Sequence, residues 1–394
     1  MTPAARAQAA IDILDQIIDA AKSGGAAGDT LIARYFATRR YAGSKDRRAV
    51  RELVYAAIRR TGEVPENGRE ALVGLAKKDR ELAATFDGST HGPAEIVKDE
   101  PGSKAGVAPA WIGKRFKASE IDPIEAAALV ERAPLDVRVN RLRHIDPATL
   151  FADLGAEPIA GLPDALRLPS GTSLESTDAF RDGLIEVQDA GSQIVTLASK
   201  AAPGMQVIDL CAGAGGKSLA LAALMNNEGK ILATDTDRGR LSRLAPRAER
   251  AGITIVEPRL LDPNREGEAL GDWARRADVV LIDAPCSGTG TWRRNPEARW
   301  RLTPMRIERL VATQKRLLEL GAWMVKPGGA LVYIVCSLLD EEGADQVAHF
   351  LSNNSGWKAE QPIDQGRPRG VGRRLTPAHD ATDGFFVARL IRAC

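Results

Sequence analysis

The chain has 394 residues, 44% hydrophobic and 27% charged, a balance that is typical of soluble globular proteins and excludes disorder over most of the length. This length exceeds what one ordinary core can organise, so we expect two or three domains. The formal net charge is only +2, so attraction to a polyanion would have to come from local clusters of basic residues.

Membrane insertion and metal binding are not indicated by the sequence. No segment reaches the roughly 18 uncharged apolar residues of a membrane span, and the N-terminal residues lead into a helical pattern without the apolar block of a signal peptide. The four cysteines lie far apart, without CxxC spacing or neighbouring histidines, which argues against a zinc site and against a disulfide framework. We therefore expect a monomeric cytoplasmic protein with no membrane partner and no bound metal.

Apolar residues at helical spacing predict an all-α N-terminal part. The first such series ends at Gly24 and comprises Ile11, Leu14, Ile17, Ile18 and Ala21. A second helix is expected to begin near Asp29. A third carries the stripe Val50, Leu53, Val54, Ala57 and Ile58. Such a stripe covers one face of a helix and would turn toward the core of a helical bundle.

A run of basic residues lies between the second and third predicted helices. It surrounds a Gly-Ser turn, contains the aromatic Tyr41, and comprises Arg39, Arg40, Lys45, Arg47 and Arg48. Basic residues with an interleaved aromatic can bind the phosphates of a nucleic acid, but a solvated helix face gives the same pattern. Composition alone leaves both interpretations open.

The rest of the chain changes character twice. Residues 87–106 are rich in Gly, Pro, Ser and charge and predict a loop or linker, and short apolar segments after Pro134 predict a small α+β subdomain. From Gln206 onward, apolar strands alternate with helical segments, which indicates βαβ units and a mostly parallel, doubly wound α/β sheet. The predicted strands are 207–210, 230–235, 253–256, 278–283 and 330–335.

The loop after the first of these strands is rich in glycine and is expected to bind a ligand, because ligands of such sheets lie beyond the carboxyl ends of the strands. Its residues are Cys211, Ala212, Gly213, Ala214, Gly215, Gly216, Lys217 and Ser218. The Gly-Lys-Ser end fits a phosphate-binding P-loop, but Cys211 occupies the position of the first glycine of that motif. Gly213 and Gly215 fit a dinucleotide-binding motif, but Ser218 occupies the position of its third glycine.

A third interpretation of this loop is a site for S-adenosylmethionine, in which the loop wraps the amino-acid end of the cofactor. An acidic residue at the end of the second strand would then accept hydrogen bonds from the ribose hydroxyls. Asp235 is placed for this role, about twenty residues after the loop. An NAD site would use the same residue. The loop alone therefore leaves these alternatives open, and the P-loop fits least well.

Two cysteines follow two further strands and indicate covalent chemistry. Cys286 lies in the turn after Asp283, and Cys336 directly follows the last strand. A single cysteine there would be a small core residue. A pair beside a methyl donor suits methylation of a pyrimidine at C5, because a thiolate can add to C6 and activate C5. Asp283 is the candidate carboxylate near N3 and N4 of the base, which has to be unstacked to be reached.

These motifs resemble those of the bacterial branch of the RsmB/Nop/Sun family of RNA cytosine-5 methyltransferases, and the likeness covers nearly the whole chain. The family's loop C-A-A-P-G-G-K-T begins here at Cys211, with Ala214 in place of proline. Its D-A-P-C-S-G-x-G motif begins at Asp283, and its T-C-S motif has Val335 in place of threonine. The resemblance implies a Rossmann-like domain that uses S-adenosylmethionine to methylate C5 of an RNA cytosine, with ribosomal RNA favoured over transfer RNA.

The resemblance also implies a role for each candidate residue, by position. In that family the T-C-S cysteine is the nucleophile and the Pro-Cys cysteine assists release of the RNA, which makes Cys336 the nucleophile and Cys286 its helper. The family's acidic cofactor contacts correspond to Asp235 at the ribose, Asp262 near the adenine and Asp283 at the methyl-transfer centre. A non-enzymatic scaffold in ribosome assembly would tolerate the loss of such groups, so their presence favours an enzyme.

Beyond the cofactor site, the resemblance implies RNA contacts and a division into domains. The N-terminal helices resemble a NusB-like RNA-binding domain, so the basic run becomes an expected RNA contact, and the family's basic segment adds Arg293 and Arg294. We therefore predict a NusB-like domain over residues 1–130, a small α+β RNA-binding subdomain over 131–185, and a methyltransferase domain over 186–394.

Overall fold

The computed structural model describes residues 1–169 and 171–394, and the chain forms two compact units. The first unit contains Met1–Arg132 and Thr291–Pro304, and the second contains Ala133–Gly290 and Met305–Cys394. Residues 131–185, predicted as a separate subdomain, therefore lie almost entirely within the second unit. Among the described residues, no helix is long and apolar enough to cross a membrane.

Helices build the first unit, as the apolar spacing predicted. They are α1 Pro3–Ser23, α2 Gly28–Ala37, α3 Ser44–Arg60, α4 Gly68–Ala76, α5 Arg80–Ala83, α6 Ala110–Ala118 and α7 Pro123–Ala128. The hydroxyl of Thr2 caps the start of α1 by accepting the N–H of Ala5 at 3.1 Å, and Gly24 ends the helix in a left-handed conformation with φ 76°. Ile13 and Leu14 of α1 are fully buried in a core that α3 and α4 share.

A segment from later in the chain completes the first unit. Arg299 is fully buried, and its guanidinium donates hydrogen bonds to the carbonyl oxygens of Ile58 and Thr61 at the end of α3. Trp300 packs into the same apolar core and donates its indole N–H to the carbonyl of Thr61 at 3.2 Å. The last carbonyls of a helix lack intrahelical donors. The buried guanidinium therefore satisfies groups whose burial would otherwise be costly.

A small antiparallel sheet opens the second unit. Its strands are β1 Leu135–Val139, β2 Glu157–Ile159, β3 Leu162–Leu168 and β4 Ile185–Val187, and the helices next to them in the chain are α8 Pro147–Leu154 and α9 Asp178–Arg181. The strand order is β2-β3-β1-β4. The apolar segments predicted after Pro134 correspond to β1 and β3. The side-chain amide of Asn140 connects this sheet to the rest of the unit by donating to the carbonyls of Gly183 at 2.9 Å and Ala251 at 2.8 Å.

The larger sheet of the second unit is mostly parallel, which confirms the predicted α/β class. Its strands are β5 Gln206–Asp209, β6 Lys230–Asp235, β7 Val256–Leu260, β8 Ala277–Asp283, β9 Val325–Val335, β10 Trp357–Glu360, β11 Arg367–Arg369, β12 Gly372–Leu375 and β13 Phe385–Arg392. Their order is β11-β12-β13-β9-β8-β5-β6-β7, and β10 also pairs with β13. Strands β7, β6, β5, β8 and β9 run parallel, and β13 joins β9 antiparallel.

Helices cover the larger sheet on both faces. They are α10 Ala190–Leu197, α11 Gly216–Leu224, α12 Arg238–Leu241, α13 Leu244–Ala251, α14 Glu266–Ala269, α15 Pro304–Met324, α16 Ala344–Asn353 and α17 Pro377–Asp380. Val207 and Leu281 belong to one buried core, and their strand neighbours Ile208 and Ile282 belong to another. Because successive side chains of a strand point to opposite faces, these two cores lie on opposite sides of the sheet.

The third parallel strand lies later in the chain than predicted. The apolar run 253–256 was the predicted strand, but β7 runs from Val256 to Leu260 and includes Pro258. Gly252 ends α13 in a left-handed conformation with φ 71°, and Ile253 is buried in the connection that follows. Because β7 lies at the edge of the sheet, it can be more polar than the central strands and can contain a proline. The prediction was wrong because it assumed that every strand of the sheet is an apolar run.

Candidate active site

The carboxyl ends of β5, β6, β8 and β9 lie at one edge of the larger sheet. β5 stands between β6 and β8, where successive connections run to opposite sides, and open α/β sheets bind ligands at this point. A cavity of about 450 Å³ lies there, a size within the usual range of small-molecule sites. Predicted residues that line it are Cys211, Asp235, Asp283, Cys286 and Cys336.

The loop after β5 requires glycine at two positions. Gly213 and Gly215 have left-handed backbones, with φ 55° and 85°. A Cβ on Gly215 would also lie 1.8 Å from Cδ1 of Leu244, so this position has no room for a side chain. At Gly216, which begins α11, a Cβ would meet none of the described residues within 4 Å. The side of Gly216 to which a Cβ would point is therefore open, at the N-terminal turn of a helix, a position that suits an anionic ligand group.

Two alanines of the loop are held through their backbones. The N–H of Ala212 donates to the carbonyl of Thr234 at 2.8 Å, and the carbonyl of Ala214 accepts a hydrogen bond from Arg247 at 2.6 Å. Arg247 in turn pairs with the buried carboxylate of Glu186 at 2.9 Å. The loop is therefore anchored at Ala214 although the proline of the family motif is missing there.

Asp235 is oriented by the loop and lines the cavity. It is 7% exposed, and its two carboxylate oxygens accept the N–H groups of Gly213 and Asp237, each at 2.8 Å. Each oxygen keeps a second lone pair, so the carboxylate can still accept a ligand hydroxyl. Asp262, predicted near the adenine, is exposed, and its neighbour Leu261 lines the cavity at this end.

Lys217 and Ser218 do not have the roles that a P-loop would give them. The ammonium of Lys217 donates to Oδ2 of Asp283 at 2.7 Å, and the hydroxyl of Ser218 donates to Oδ2 of Asp209 at 2.7 Å. Both residues are buried, with 8% exposure or less over the whole residue. Since each is engaged by a carboxylate, this arrangement argues against phosphate binding by the Gly-Lys-Ser sequence.

Two buried groups near the cavity, Asp209 and Lys217, have pKa values that their surroundings raise. Burial raises the pKa of Asp209 to about 7, and the hydrogen bond from Ser218 only partly opposes this change. Burial acts to lower the pKa of Lys217, but the charge and the hydrogen bond of Asp283 outweigh it, so the pKa is raised. Lys217 is therefore a permanent cation at neutral pH, whereas Asp209 is poised to titrate.

Cys286 and Cys336 meet at the cavity, with their Sγ atoms 3.3 Å apart. The N–H of Gly290 donates to the carbonyl of Cys336 at 3.0 Å and so connects the two cysteine loops. The hydrogen bond with Cys336 and burial raise the pKa of Cys286 well above its ordinary value. Cys286 therefore keeps its proton at neutral pH. Burial also raises the pKa of Cys211, the other thiol that lines the cavity.

A buried carboxylate joins the two cysteine loops, and the sequence motifs did not identify it. Glu342 is fully buried, and its Oε1 accepts the N–H of Ser287 at 2.8 Å and the amide of Gln314 at 3.1 Å. Its Oε2 accepts the hydroxyls of Ser337, at 2.6 Å, and of Ser287. Ser287 and Ser337 each follow one of the two cysteines. The sequence signals of this arrangement are the serine after each cysteine and the acidic pair Glu341 and Glu342 that follows the second motif, although neither acidic residue was assigned a role.

Helix α15 contributes a basic wall that has no sequence motif. Arg306, Thr313 and Arg316 line the cavity. Arg316 forms a bidentate pair with the buried Glu266, with distances of 2.6 and 2.9 Å. These side chains line the same cavity as the two thiols, and the carboxylate of Glu266 balances the charge of Arg316 there.

The basic run of the first unit divides into exposed and engaged side chains. Arg39 lies 3.6 Å above the ring centroid of Tyr35, and Arg47 donates to the carbonyl of Ala42 at 2.9 Å. The remaining members point into solvent and are Arg40, Lys45 and Arg48, together with Tyr41 at 72% exposure.

The predicted RNA contacts after the Pro-Cys motif are less accessible. Arg293 is 6% exposed and Arg294 is half-buried. The two side chains lie in the segment that belongs to the first unit. Among the predicted RNA contacts, the exposed residues of the basic run therefore offer the more accessible positive charge.

Comparison with known families gives a match that spans half of the chain. The model of the 16S rRNA methyltransferase RsmB/F family matches residues 195–391. A probable ribosomal RNA small subunit methyltransferase B from Synechocystis sp. is 34% identical over 300 residues, covering 72% of this chain and 67% of that protein. The chain thus matches about two thirds of the length of such curated relatives.

Solved structures share the fold. The crystal structure of PH0851 is similar with a TM-score of 0.78 and 25% identity, over 99% of both chains. A methyltransferase homolog protein from Pyrococcus horikoshii is similar with a TM-score of 0.62 and 29% identity, over 72% of this chain and 94% of that one. The Rossmann-like methyltransferase fold is therefore confirmed, and the helical first unit fits the NusB-like domain that was predicted.

Proposed function

The chain belongs to the RsmB/F methyltransferase family, and we propose that it methylates C5 of a cytosine in 16S ribosomal RNA, using S-adenosylmethionine. The substrate follows the description of the family and the name of the relative from Synechocystis. The observation that carries the C5 chemistry is the 3.3 Å distance between Sγ of Cys286 and Sγ of Cys336 at the cavity.

The cavity has the features that S-adenosylmethionine requires, and this cofactor supplies an electrophilic methyl group when bound. Asp235 would accept hydrogen bonds from the ribose hydroxyls, with Asp262 near the adenine and Asp283 near the methyl group. The loop would contact the amino-acid end through Cys211, Ala212, Gly213, Ala214, Gly215, Gly216 and Lys217. The clear space beside Gly216 supports this assignment, because the first turn of α11 can meet a carboxylate there.

Cys336 begins the reaction, in which its Sγ adds to C6 of the cytosine and its proton is released to water. An Sγ–C6 bond forms, the electron pair of the C5–C6 double bond moves into the ring, and C5 becomes nucleophilic. Asp283 would accept a hydrogen bond from N4, and one from N3 while N3 carries a proton that it takes from water and returns when Cys336 leaves. The ion pair with Lys217 holds this carboxylate in place. C5 would then accept the methyl group, whose bond to the cofactor breaks, with the demethylated cofactor as the leaving group.

Cys286 assists the second half of the reaction. C5 releases its proton to water, the Sγ–C6 bond breaks, and Cys336 leaves as a thiolate. Because its pKa is raised, Cys286 remains a neutral thiol that can donate a hydrogen bond to the departing sulfur 3.3 Å away. A hydrogen bond to a charged acceptor is stronger than one to a neutral acceptor, so it favours release.

A labelled-methyl assay tests this function. The purified protein is incubated with 16S ribosomal RNA and methyl-labelled S-adenosylmethionine, and the nucleosides are separated by mass spectrometry. We expect label in 5-methylcytidine, and none with Cys336→Ala, whose affinity for S-adenosylmethionine should stay within about twofold of the parent because the thiol serves chemistry. Cys394→Ala is the matched control, since this thiol is exposed and outside the cavity lining.

Two results would contradict the proposal. Full turnover by Cys336→Ala would exclude the covalent mechanism, and label on a nucleoside other than 5-methylcytidine would exclude the C5 target. Bisulfite sequencing of RNA from cells that lack the protein then locates the modified cytosine.

A further inference from the structure

We propose that Glu342 is a positioning residue that holds Cys286 and Cys336 at their working distance through the serine that follows each cysteine. This inference rests on the proposed function, in which the two thiols act on one cytosine. Glu342 is fully buried and does not line the cavity, so it would act without touching the base.

The hydrogen bonds of Glu342 reach both cysteine loops at once. Its carboxylate accepts the backbone N–H of Ser287 at 2.8 Å and the hydroxyl of Ser337 at 2.6 Å, so each cysteine is one peptide bond from a fixed group. The hydroxyls of Ser287 and Ser337 also lie 3.1 Å apart. A single side chain therefore links the loop after β8 to the residues that follow β9, in addition to the backbone bonds between them.

Glu342 is itself held from three sides. The amide of Gln314 on α15 donates to the carboxylate at 3.1 Å and also to the carbonyl of Pro285 at 2.9 Å, beside Cys286. The hydroxyl of Tyr333 on β9 donates to the backbone carbonyl of Glu342 at 2.6 Å. Thr289 contacts the hydroxyl of Ser337 at 3.2 Å and accepts the N–H of Leu338 at 2.9 Å. The network is thus anchored on the sheet, on a helix and on both loops.

The position of Glu342 also adds an electrostatic effect at Cys286. The hydrogen bond between Cys286 and Cys336, burial and the charge of Cys336 raise the pKa of Cys286, and the charge of Glu342 raises it further. Other ionisable groups near these thiols are Tyr333, Lys217, Asp283 and Arg306. Removing the Glu342 charge should therefore let Cys286 ionise at lower pH.

The test compares Glu342→Gln with Glu341→Gln, which removes a charge from the neighbouring residue. We expect Glu342→Gln to lower kcat for methyl transfer about tenfold or more, with KM for RNA and affinity for S-adenosylmethionine changed less than about twofold, because one set of hydrogen bonds to a buried charge is lost. Glu341→Gln should keep the parent kcat.

A second measurement does not depend on methyl transfer. Alkylation of the Cys286 peptide by iodoacetamide, followed by mass spectrometry across pH, should begin at lower pH in Glu342→Gln than in the parent and in Glu341→Gln. A purely structural role would lower activity in proportion to the folded fraction and leave this profile unchanged.

The outcomes separate the inference from the proposed function. Parent kcat together with an unchanged alkylation profile in Glu342→Gln would overturn the role of Glu342 while leaving 5-methylcytidine formation by the parent intact. If the parent protein methylates an atom other than C5, the proposed function is wrong. The alkylation profile would still show whether Glu342 influences the ionisation of Cys286. If Glu342→Gln does not fold, Ser287→Ala and Ser337→Ala each remove one hydroxyl and should lower kcat about threefold to tenfold. Parent kcat in both serine variants would overturn the inference.

Discussion

The ammonium of Lys217 donates a 2.7 Å hydrogen bond to the carboxylate of Asp283, and the two side chains are 9% and 32% exposed. Lys217 lies in the first turn of α11, which follows β5, and Asp283 ends β8, so the pair connects the ends of two neighbouring strands. The ring of Phe385 lies 5.7 Å from the lysine nitrogen and helps to enclose it. Phe385, the first residue of β13, therefore packs against this ion pair.

Replacing either member of the Lys217–Asp283 pair should slow methyl transfer for the same reason, the loss of the hydrogen bond between them. We expect Lys217→Met and Asp283→Asn each to lower kcat about tenfold or more, since each removes the same charge-assisted hydrogen bond. In the double variant the losses should not add, and the double-mutant cycle should give a coupling energy of about 1 to 3 kcal/mol. Steady-state rates of methyl incorporation measure this. Fully additive losses would show that the two residues act independently.

The helper role of Cys286 predicts an accumulated intermediate. Cys286→Ala should form the Sγ–C6 bond through Cys336 but release it slowly, because the departing thiolate loses its hydrogen-bond donor. We expect an RNA–protein adduct that survives denaturing gel electrophoresis and is absent when Cys336 is also replaced. A Cys286→Ala protein that turns over like the parent and shows no adduct would make Cys286 a structural residue.

The pKa of Asp209 predicts how stability changes with pH. Its pKa is about 7 in the folded protein and 3.8 without burial, so between these values the folded state holds a proton that the unfolded chain has lost. The free energy of unfolding should therefore fall as pH rises through this window, by up to about 1.4 kcal/mol per pH unit from this group. Asp209→Asn should remove that slope. Urea titrations from pH 4 to 8 compare the two proteins, and parallel curves would refute the assignment.

The exposed basic residues predict how RNA binding depends on salt. Lys45→Glu combined with Arg48→Glu should weaken RNA binding and make the slope of log affinity against log salt shallower by about 1.5, because two phosphate contacts are lost. Lys77→Glu combined with Lys78→Glu changes the charge equally at another exposed site of the same unit. Filter binding across a salt series measures the affinity and the salt slope of both double variants. Equal slopes for the two variants would show that the basic run does not contact the RNA phosphates.

The parallel strands of the larger sheet were predictable where they are buried on both faces. β6 has the predicted bounds, Lys230 to Asp235, because a central strand is a continuous apolar run bounded by polar residues. β7 was misplaced because an edge strand has one unpaired side and can be polar. The short strands β10, β11 and β12 carry little apolar pattern, so pairing with β13 and with each other decides their formation.

The candidate site was predictable where backbone geometry demands a residue type. Gly215 lies after one strand and Asp235 at the end of the next, both at the ligand-binding edge of the sheet. Their spacing in the sequence was enough to predict that both belong to the site. Glu342 was not predictable, because it neighbours another acidic residue and only tertiary packing decides which of the two is buried. Arg306 and Arg316 were missed for a similar reason, since they lie on a helix whose register against the sheet is not encoded in a motif.

The placement of Arg299 and Trp300 has a consequence for synthesis. The first unit contains residues that are translated only after β5, β6, β7 and β8 of the larger sheet, so its core cannot close when the N-terminal helices leave the ribosome. Until residue 304 has emerged, the carbonyls at the end of α3 depend on water and the apolar surface that receives Trp300 is uncovered. A nascent chain stalled before that point would therefore be a substrate for chaperones, although most of its helices are already complete.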